Sequence, residues 1–315
     1  MKKLISIMLV LAMLMAAGAS AFADITPLID NVLNALGNGI YRTTYEALQA
    51  GEVVANGTYG TTAKGVQQTL ADFGENISAD GSVGSKTIEA LQHIQKSFGI
   101  GKTDKVDAKV YERLLVRLLL MKDEEAAGEL LLGDDSPFRS YEEFEYSIGG
   151  AYYQKGELYE AQRHFYMSEY ADYKDRAASC VLPMPSTGVL WKNSSMGAGT
   201  QLTIQVNNAD GKYMFVKIYT ADNVLAATMF INGSSKATVN LPAGTYMIKD
   251  GTGDTWYGDV DAFGDDGFYE TMTFDNGSKT VRLESGYAYT LTINVSEPDP
   301  DGTGVDSFDI PREDF

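Results

Sequence analysis

The stretch that decides the fold of the N-terminal half is Ala63–Leu115, which reads AKGVQQTLADFGENISADGSVGSKTIEALQHIQKSFGIGKTDKVDAKVYERLL. Apolar residues recur three or four positions apart, as on one face of a helix. They form the groups Val66, Leu70 and Phe73; Ile88, Leu91, Ile94 and Phe98; and Val110, Leu114 and Leu118. The Asp-Gly and Gly-Ser dipeptides before the second group are typical of tight turns. The stretch therefore predicts a small three-helix bundle, with Gly84 at a positive φ or at a close backbone approach.

The motifs VQQTL, DG-x-VG-x-KT, EALQ-x-IQ and VDAKVYERLL, in this order, resemble the peptidoglycan-binding domain of cell-wall hydrolases and related exported proteins. The second turn departs from the family pattern Asp-Gly-x-x-Gly-x-x-Thr, because both glycines are missing from Val106–Val110. The resemblance implies peptidoglycan as the partner, bound in a groove bordered by Asp80, Gly81, Gly84, Thr87, Gln92 and Gln95. The alternative interpretation is that these residues only shape turns within a helical bundle.

The N-terminus has the pattern of a secretory signal peptide. Lys2 and Lys3 precede an apolar run, Leu4–Ala17, and small residues ending in Ala21-Phe22-Ala23 follow it. The run is shorter than the roughly 20 apolar residues that cross a bilayer. We therefore expect cleavage after residue 23 and a secreted, cell-wall-associated protein without a membrane anchor.

Charge and cysteine content exclude several classes of partner. Loss of Lys2 and Lys3 takes the formal charge from −18 to −20, which argues against binding to nucleic acid or to anionic lipid. Cys180 is the single cysteine, so no disulfide forms within the chain and packing must stabilise it. We expect Cys180 to be a small buried side chain.

An aromatic helical pair is predicted in the second region, residues 134–183. Tyr141–Tyr173 reads YEEFEYSIGGAYYQKGELYEAQRHFYMSEYADY. It resembles one tetratricopeptide unit at Gly149, Tyr152, Gly156, Ala161 and Phe165. Because one unit cannot bury both of its faces, we expect it to pack on the helix over Val110–Met121 or on the segment Leu130–Leu132. As an alternative function, these helices would bind another exported protein, making the chain an envelope adaptor.

Strand patterns dominate residues 186–296. Alternation at Leu202, Ile204 and Val206, repeated between turns every 8 to 12 residues, predicts an antiparallel β-sandwich. The stretch ATVNLPAGTYMIKDGTGDTWYG resembles β-sandwich modules of secreted proteins in which the LPAGTY strand and a further strand form a hairpin and the tyrosine packs inward. The acidic residues 297–315 are expected to be disordered.

The loop from Asp250 to Glu270 carries seven acids and no Lys or Arg. One interpretation is a calcium site, with candidate ligands Asp254, Asp259, Asp261, Asp265 and Asp266, beside a sugar platform of Trp256 and Tyr257. We favour the other, an acidic solvated loop whose aromatic residues pack at the sandwich edge, because the spacing fails the EF-hand pattern.

No catalytic constellation is evident. The two histidines, His93 and His164, lie singly in different predicted helices, and Cys180 has no neighbouring histidine. The expectation is a multidomain α + β chain with a signal peptide (1–23), a peptidoglycan-binding-like domain (24–133), the helical pair and the β module. It would act without cofactor or catalysis, and its function would be to bind the cell wall.

Overall fold

The computed structural model describes residues 26–131, 138, 140–207, 211–274, 277–294 and 306–315. The chain divides into two compact units, one ending at Cys180 and the other running from Val181 to Phe315. The first is helical and the second is built of strands, which confirms the mixed α and β prediction. The expected signal peptide lies outside the described residues, and within those residues no helix is long and apolar enough to cross a membrane.

The helices of the first unit are α1 (Thr26–Ala35), α2 (Ile40–Gln49), α3 (Thr61–Asp72), α4 (Ser85–Ser97), α5 (Ala108–Lys122), α6 (Glu124–Leu131), α7 (Tyr141–Lys155), α8 (Leu158–Ser168) and α9 (Tyr173–Ser179). The three predicted amphipathic segments coincide with α3, α4 and α5. Their apolar faces meet in one core that includes Val66, Leu70, Phe73, Leu91, Ile94, Phe98, Leu114 and Leu118. Helix α5 begins at Ala108, where Asp107 caps it by accepting a hydrogen bond from the Val110 N–H at 2.9 Å.

The extended segment 54–59 pairs with the two turns that flank α4, one before the helix and one after it. Strand β1 (Val54–Ala55) pairs antiparallel with β2 (Lys105–Val106). Farther along the same segment, Tyr59 forms an antiparallel bridge with Ser82. Val54, Val83 and Val106 are all buried, so one segment fixes both turns against the core.

The helical pair belongs to the same compact unit. The expected packing on the helix after Val110 is confirmed, since Phe144 and Ile148 of α7 share a core cluster with Leu114 of α5. A Cβ on Gly149 would lie 2.8 Å from the Phe165 ring, and one on Gly150 would lie 2.6 Å from the Ser97 carbonyl oxygen. Both glycines therefore permit close helix packing, to α8 and to the end of α4 respectively.

The second unit contains strands β3 (Gly188–Lys192), β4 (Thr200–Asn207), β5 (Tyr213–Thr220), β6 (Leu225–Asn232), β7 (Lys236–Leu241), β8 (Gly244–Gly253), β9 (Phe268–Thr273), β10 (Val281–Leu283), β11 (Ala288–Asn294) and β12 (Asp306–Asp309). One sheet has the order β12-β9-β8-β5-β6-β3, with β10 also paired to β8, and a second has the order β11-β4-β7. Alternate residues of both sheets fill one apolar core, including Leu202, Ile204, Val216, Met229, Val239 and Ile248.

Two details of strand pairing differ from the expectations. Pairing is not antiparallel throughout, because β11 runs parallel to β4 with Ala288 opposite Gln201. The LPAGTY segment does not form a hairpin, since the chain changes sheets at Pro242 and Ala243, and β7 pairs with β4 while β8 pairs with β5, β9 and β10. The tyrosine of this segment, Tyr246, does pack inward, and its hydroxyl donates to the Pro242 carbonyl oxygen at 2.8 Å.

The expected disorder of residues 297–315 is wrong for the part that the structure describes, 306–315. Strand β12 pairs antiparallel with β9, placing Phe308 opposite Thr271. After it, a 3-10 helix over Arg312–Asp314 leads into the buried Phe315. Composition alone misjudged this segment because one aromatic anchor and a strand partner offset its acidity.

Candidate functional site

Gln67 of α3 organises the turn that the sequence placed at the centre of the site. Its side chain is 2% exposed. The amide Nε2 donates to Asp80 Oδ1 and to the Ser82 carbonyl oxygen, each at 3.0 Å, while Oε1 accepts from the Gly81 N–H at 2.7 Å. A single buried amide thus holds both sides of the turn, a role that sequence reasoning missed although Gln67 lies in the VQQTL motif.

Gly81, rather than Gly84, is the backbone-special residue. Gly81 has φ +80°, and a Cβ there would lie 3.0 Å from the Gly60 carbonyl oxygen. Gly84 has φ −117° in extended backbone, with nothing within 4 Å of a Cβ. The expectation for Gly84 is therefore wrong, because the tight approach occurs at the turn itself and not at the start of α4.

Asp80 and Thr87 both accept hydrogen bonds from the Gln67 amide but differ in exposure. Asp80 is exposed, and hydrogen bonds from the Ser82 N–H and the Gln67 amide hold its pKa below its usual range. Thr87 is buried, and its hydroxyl accepts from Gln67 Nε2 at 3.3 Å. Asp80 therefore presents an ionised carboxylate to solvent. Thr87, which was expected to border the groove, is instead buried beneath the surface.

Gln95 of α4, like Gln67 of α3, is a glutamine whose side-chain amide hydrogen-bonds to a neighbouring turn. Its Nε2 donates to Thr103 Oγ1 and its Oε1 accepts from the Thr103 N–H, both at 2.9 Å. The side chain is 1% exposed. Its amide thus fixes the turn before β2, and the expected contact of Gln95 with a ligand is corrected to an internal role.

Gln92 lies in a pocket on the solvent side of α4. The pocket has a volume of about 440 Å³ and is lined by Glu89, Gln92, His93, Lys96, Ile100 and Lys102. Positions 89, 92, 93 and 96 share one helix face because they are three or four residues apart, while Leu91 and Ile94 of the same helix point into the core. The lysines were missed from the sequence, although Lys96 lies four residues after Gln92.

Two lysines and one glutamate give this pocket a positive balance in a chain of net charge −18. His93 at its wall lies with Nδ1 2.6 Å from Glu75 Oε1, so its ring is oriented by a carboxylate. The pocket combines ammonium donors with the Gln92 amide. Such a lining suits a ligand that carries both carboxylates and amide groups.

In the second unit the carboxylates of the acidic loop differ in burial and in their ion pairs. Asp261 is buried and lies 3.0 Å from Arg312, which also reaches Asp265 at 3.0 Å. Asp254, Asp259 and Asp266 are exposed. Within the described residues no group of three or more His, Cys, Asp or Glu side chains has an arrangement able to hold a metal ion.

Most of the loop's aromatic residues pack inward, whereas Phe268 is 51% exposed. Trp256 and Tyr257 are buried, and the Trp256 ring meets Phe215 edge-on at 4.9 Å between centroids. The expectation that these aromatic residues pack at the sandwich edge is wrong in its position, because Trp256 contacts Phe215 of β5 and Phe230 of β6, which are inner strands of the sheet. The sugar platform of Trp256 with Tyr257 is also wrong, since both residues are buried.

His164 lies on α8 with Nδ1 2.7 Å from Glu145 Oε2, on a different helix from His93. Cys180 is fully buried, as expected, with its thiol 3.4 Å from the Arg176 carbonyl oxygen.

No protein-family model matches the chain, and no match was found among curated proteins.

Proposed function

We propose that this chain is an exported, non-catalytic protein that binds peptidoglycan through its first unit and presents the β unit, which we interpret as a sandwich, away from the wall. The observation that supports this most is the α4 pocket. It is lined by Gln92 together with Lys96 and Lys102 and lies in the segment that resembles a peptidoglycan-binding domain.

The chemistry of the polymer matches the pocket. Peptidoglycan stem peptides carry free carboxylates and amides, and the pocket offers ammonium groups and a side-chain amide. Charge-assisted hydrogen bonds of this kind are about twice as strong as neutral ones. Because the chain as a whole is acidic, anionic wall polymers repel it at long range, and local contacts must supply the affinity.

The other residues of the expected site support the pocket from beneath. Gln67 and Gln95 hold the turns on either side of α4 through buried hydrogen bonds. A helix held at both ends presents its outer face with little entropy to lose on binding. Gly81, Thr87 and Gln95 would thus act on binding through the position of α4, not by contact.

Sedimentation with insoluble peptidoglycan tests the proposal. A chain with Lys96→Glu and Lys102→Glu should lose about tenfold in affinity, which corresponds to about 1.4 kcal/mol. The matched control carries Lys212→Glu and Lys236→Glu, two exposed lysines of the second unit, and should bind like the wild type. Equal loss in both variants would indicate a general charge effect and contradict a specific pocket.

The alternative, an envelope adaptor, has its own support. Tyr166 and Met167 of α8 are both more than half exposed. The face of α7 toward α4 is already occupied, because Gln154 Nε2 donates to Ser97 Oγ at 2.6 Å. This alternative places the docking surface for a second exported protein on α8, and Tyr166→Ala with Met167→Ala would abolish that contact without changing sedimentation with peptidoglycan.

A further inference from the structure

We infer that Tyr59 is a stacking platform for a neutral, hydroxyl-rich sugar ring and forms a glycan subsite with Ser82 and Asp80. The inference rests on the proposed function and deepens it, since the α4 pocket would take the peptide part of the polymer and this surface the glycan strand. Tyr59 is 77% exposed, although it sits in an ordered segment and not in a terminus.

The backbone brings the three residues together. Tyr59 and Ser82 are directly opposite each other in an antiparallel bridge. The flanking bonds run from the Gly60 N–H to the Gly81 carbonyl oxygen at 2.9 Å and from the Val83 N–H to the Thr58 carbonyl oxygen at 3.0 Å. Residues 59 and 82 are thus a non-hydrogen-bonded pair, in which the side chains share one face and come closest.

The polar edge of this surface is also held in place. Asp80 Oδ1 is engaged by the Ser82 N–H at 2.8 Å and by the Gln67 amide, which directs the carboxylate beside the bridge. These bonds lower the pKa of Asp80, so the group stays ionised at neutral pH. An ionised carboxylate only accepts hydrogen bonds, and its ligand must therefore donate, as sugar hydroxyls do.

The aromatic ring supplies the apolar part of the contact. A tyrosine has a flat apolar body with a polar tip, and the C–H face of a pyranose packs on such a surface. A rigid backbone beneath the ring reduces the entropy lost on binding. The exposed Lys64 lies next to the turn, since its Cβ is 3.6 Å from the position that a Cβ at Gly81 would take. A neutral sugar fits this mixture of charges better than an anionic one.

The test uses the chain from Asp24 to Phe315 and a soluble probe without peptide, the β-1,4-linked tetramer of N-acetylglucosamine, titrated by calorimetry or NMR. Tyr59→Ala should weaken binding at least about tenfold, and Tyr59→Phe should stay within about threefold of wild type. Tyr287→Ala is the matched control, because Tyr287 is also an exposed tyrosine, at 63%, and it should leave affinity unchanged. Melting temperatures of all variants should match the wild type, as Tyr59 has little to lose in packing.

Failure of this inference is distinguishable from failure of the proposed function. The tetramer is tested up to about 10 mM, because a contact with a Kd weaker than millimolar contributes little to affinity. If the wild type sediments with peptidoglycan but does not bind the tetramer at that concentration, the glycan subsite is wrong and the pocket stands. Tetramer binding that Tyr59→Ala leaves intact would equally overturn the subsite. Tetramer binding that depends on Tyr59, in a chain that does not sediment, would support the subsite and contradict the proposed function.

Discussion

Arg312 lies 3.0 Å from the buried Asp261, on the acidic loop some 50 positions earlier in the chain. The same guanidinium reaches Asp265 through Nε. The loop therefore has a cation after all, supplied by the C-terminal segment that composition assigned to disorder. Removing one member of a buried ion pair leaves the other carboxylate poorly compensated. Arg312→Ala should lower the free energy of unfolding of the second unit by about 1 to 3 kcal/mol, as measured by urea denaturation.

A control for this effect is present in the same unit. Arg282 lies 3.7 Å from Glu284, and both side chains are more than half exposed. Exposed pairs contribute little, so Arg282→Ala should change stability by less than about 0.5 kcal/mol. Equal effects of the two substitutions would contradict the assignment of Arg312 as the cation of the loop.

Calcium should not stabilise this loop. Its buried Asp261 already faces Arg312, and Asp254 and Asp266 are exposed to solvent. Partial burial raises the pKa of Asp259, and the nearby Lys217 ammonium opposes that shift. Millimolar calcium should leave the melting temperature of the second unit unchanged within error. Because a fragment ending at Val295 would lack Arg312, the measurement requires the chain to Phe315. A rise that EDTA reverses and that Asp259→Ala with Asp261→Ala abolishes would establish a metal site.

Gly81 and Gly84 provide a matched pair of substitutions in the first unit. Gly81→Ala forces an L residue to φ +80° and places its Cβ against the Gly60 carbonyl oxygen. It should cost about 1 to 3 kcal/mol. Gly84→Ala meets no neighbouring atom and needs no unusual φ, so its melting temperature should stay near wild type. A lower melting temperature for Gly84→Ala than for Gly81→Ala would contradict the assignment of Gly81 as the residue that needs a positive φ.

Gln67 offers a test of its buried hydrogen bonds. Gln67→Ala removes the acceptor of the buried Gly81 N–H, and an unsatisfied buried group costs about 1 to 3 kcal/mol. Its neighbour Gln68 donates to Asp72 Oδ1 on a partly exposed surface. Gln68→Ala should therefore leave the melting temperature nearly unchanged. If it lowered stability as much as Gln67→Ala, the buried hydrogen bonds of Gln67 would contribute no more to stability than an exposed one.

Asp250 predicts how stability depends on pH. It is buried on β8 opposite Glu270, and burial first and the Glu270 carboxylate second raise its pKa to about 8. The folded state therefore holds this proton more tightly than the unfolded state, in which the pKa is near 3.8. Its stabilising contribution is complete below that value and is lost as pH rises toward 8. Asp250→Asn should therefore flatten the fall in melting temperature between pH 5 and pH 8. At pH 8 the free energy of unfolding that the wild type has lost relative to pH 5 should exceed the loss in the variant by roughly 1 to 3 kcal/mol. The same pH profile in both proteins would contradict the raised pKa of Asp250.

Local pattern was sufficient to predict the elements of this fold but not their long-range partners. The spacing of Val66, Leu70 and Phe73 identified α3, and alternation at Leu202 and Ile204 identified β4. The parallel pairing of β11 with β4 depends on contacts more than 80 residues apart, which periodicity does not encode. The docking of Phe315 against Phe215 and Tyr269 is of the same kind.

The candidate site shows a similar division. Turn dipeptides placed Asp80 and Gly81 correctly at a turn, whereas burial separated the expected ligand-binding residues into two groups. Thr87 and Gln95 have polar groups that hydrogen-bond inside the unit, and sequence spacing does not reveal this. Tyr59 was missed because a single tyrosine between Thr58 and Gly60 belongs to no periodic pattern, and its importance follows only from the bridge to Ser82.

Sedimentation of the wild-type chain, Asp24 to Phe315, with purified peptidoglycan tests the central claim most directly. Two preparations should be compared, intact peptidoglycan and the same material with its stem peptides removed by an amidase. We predict saturable binding to the intact polymer and weaker binding to the stripped glycan, because amidase treatment removes the peptide carboxylates and amides that the Lys96 and Lys102 pocket would bind. A chain that stays in the supernatant with both preparations, at every concentration, would contradict the account.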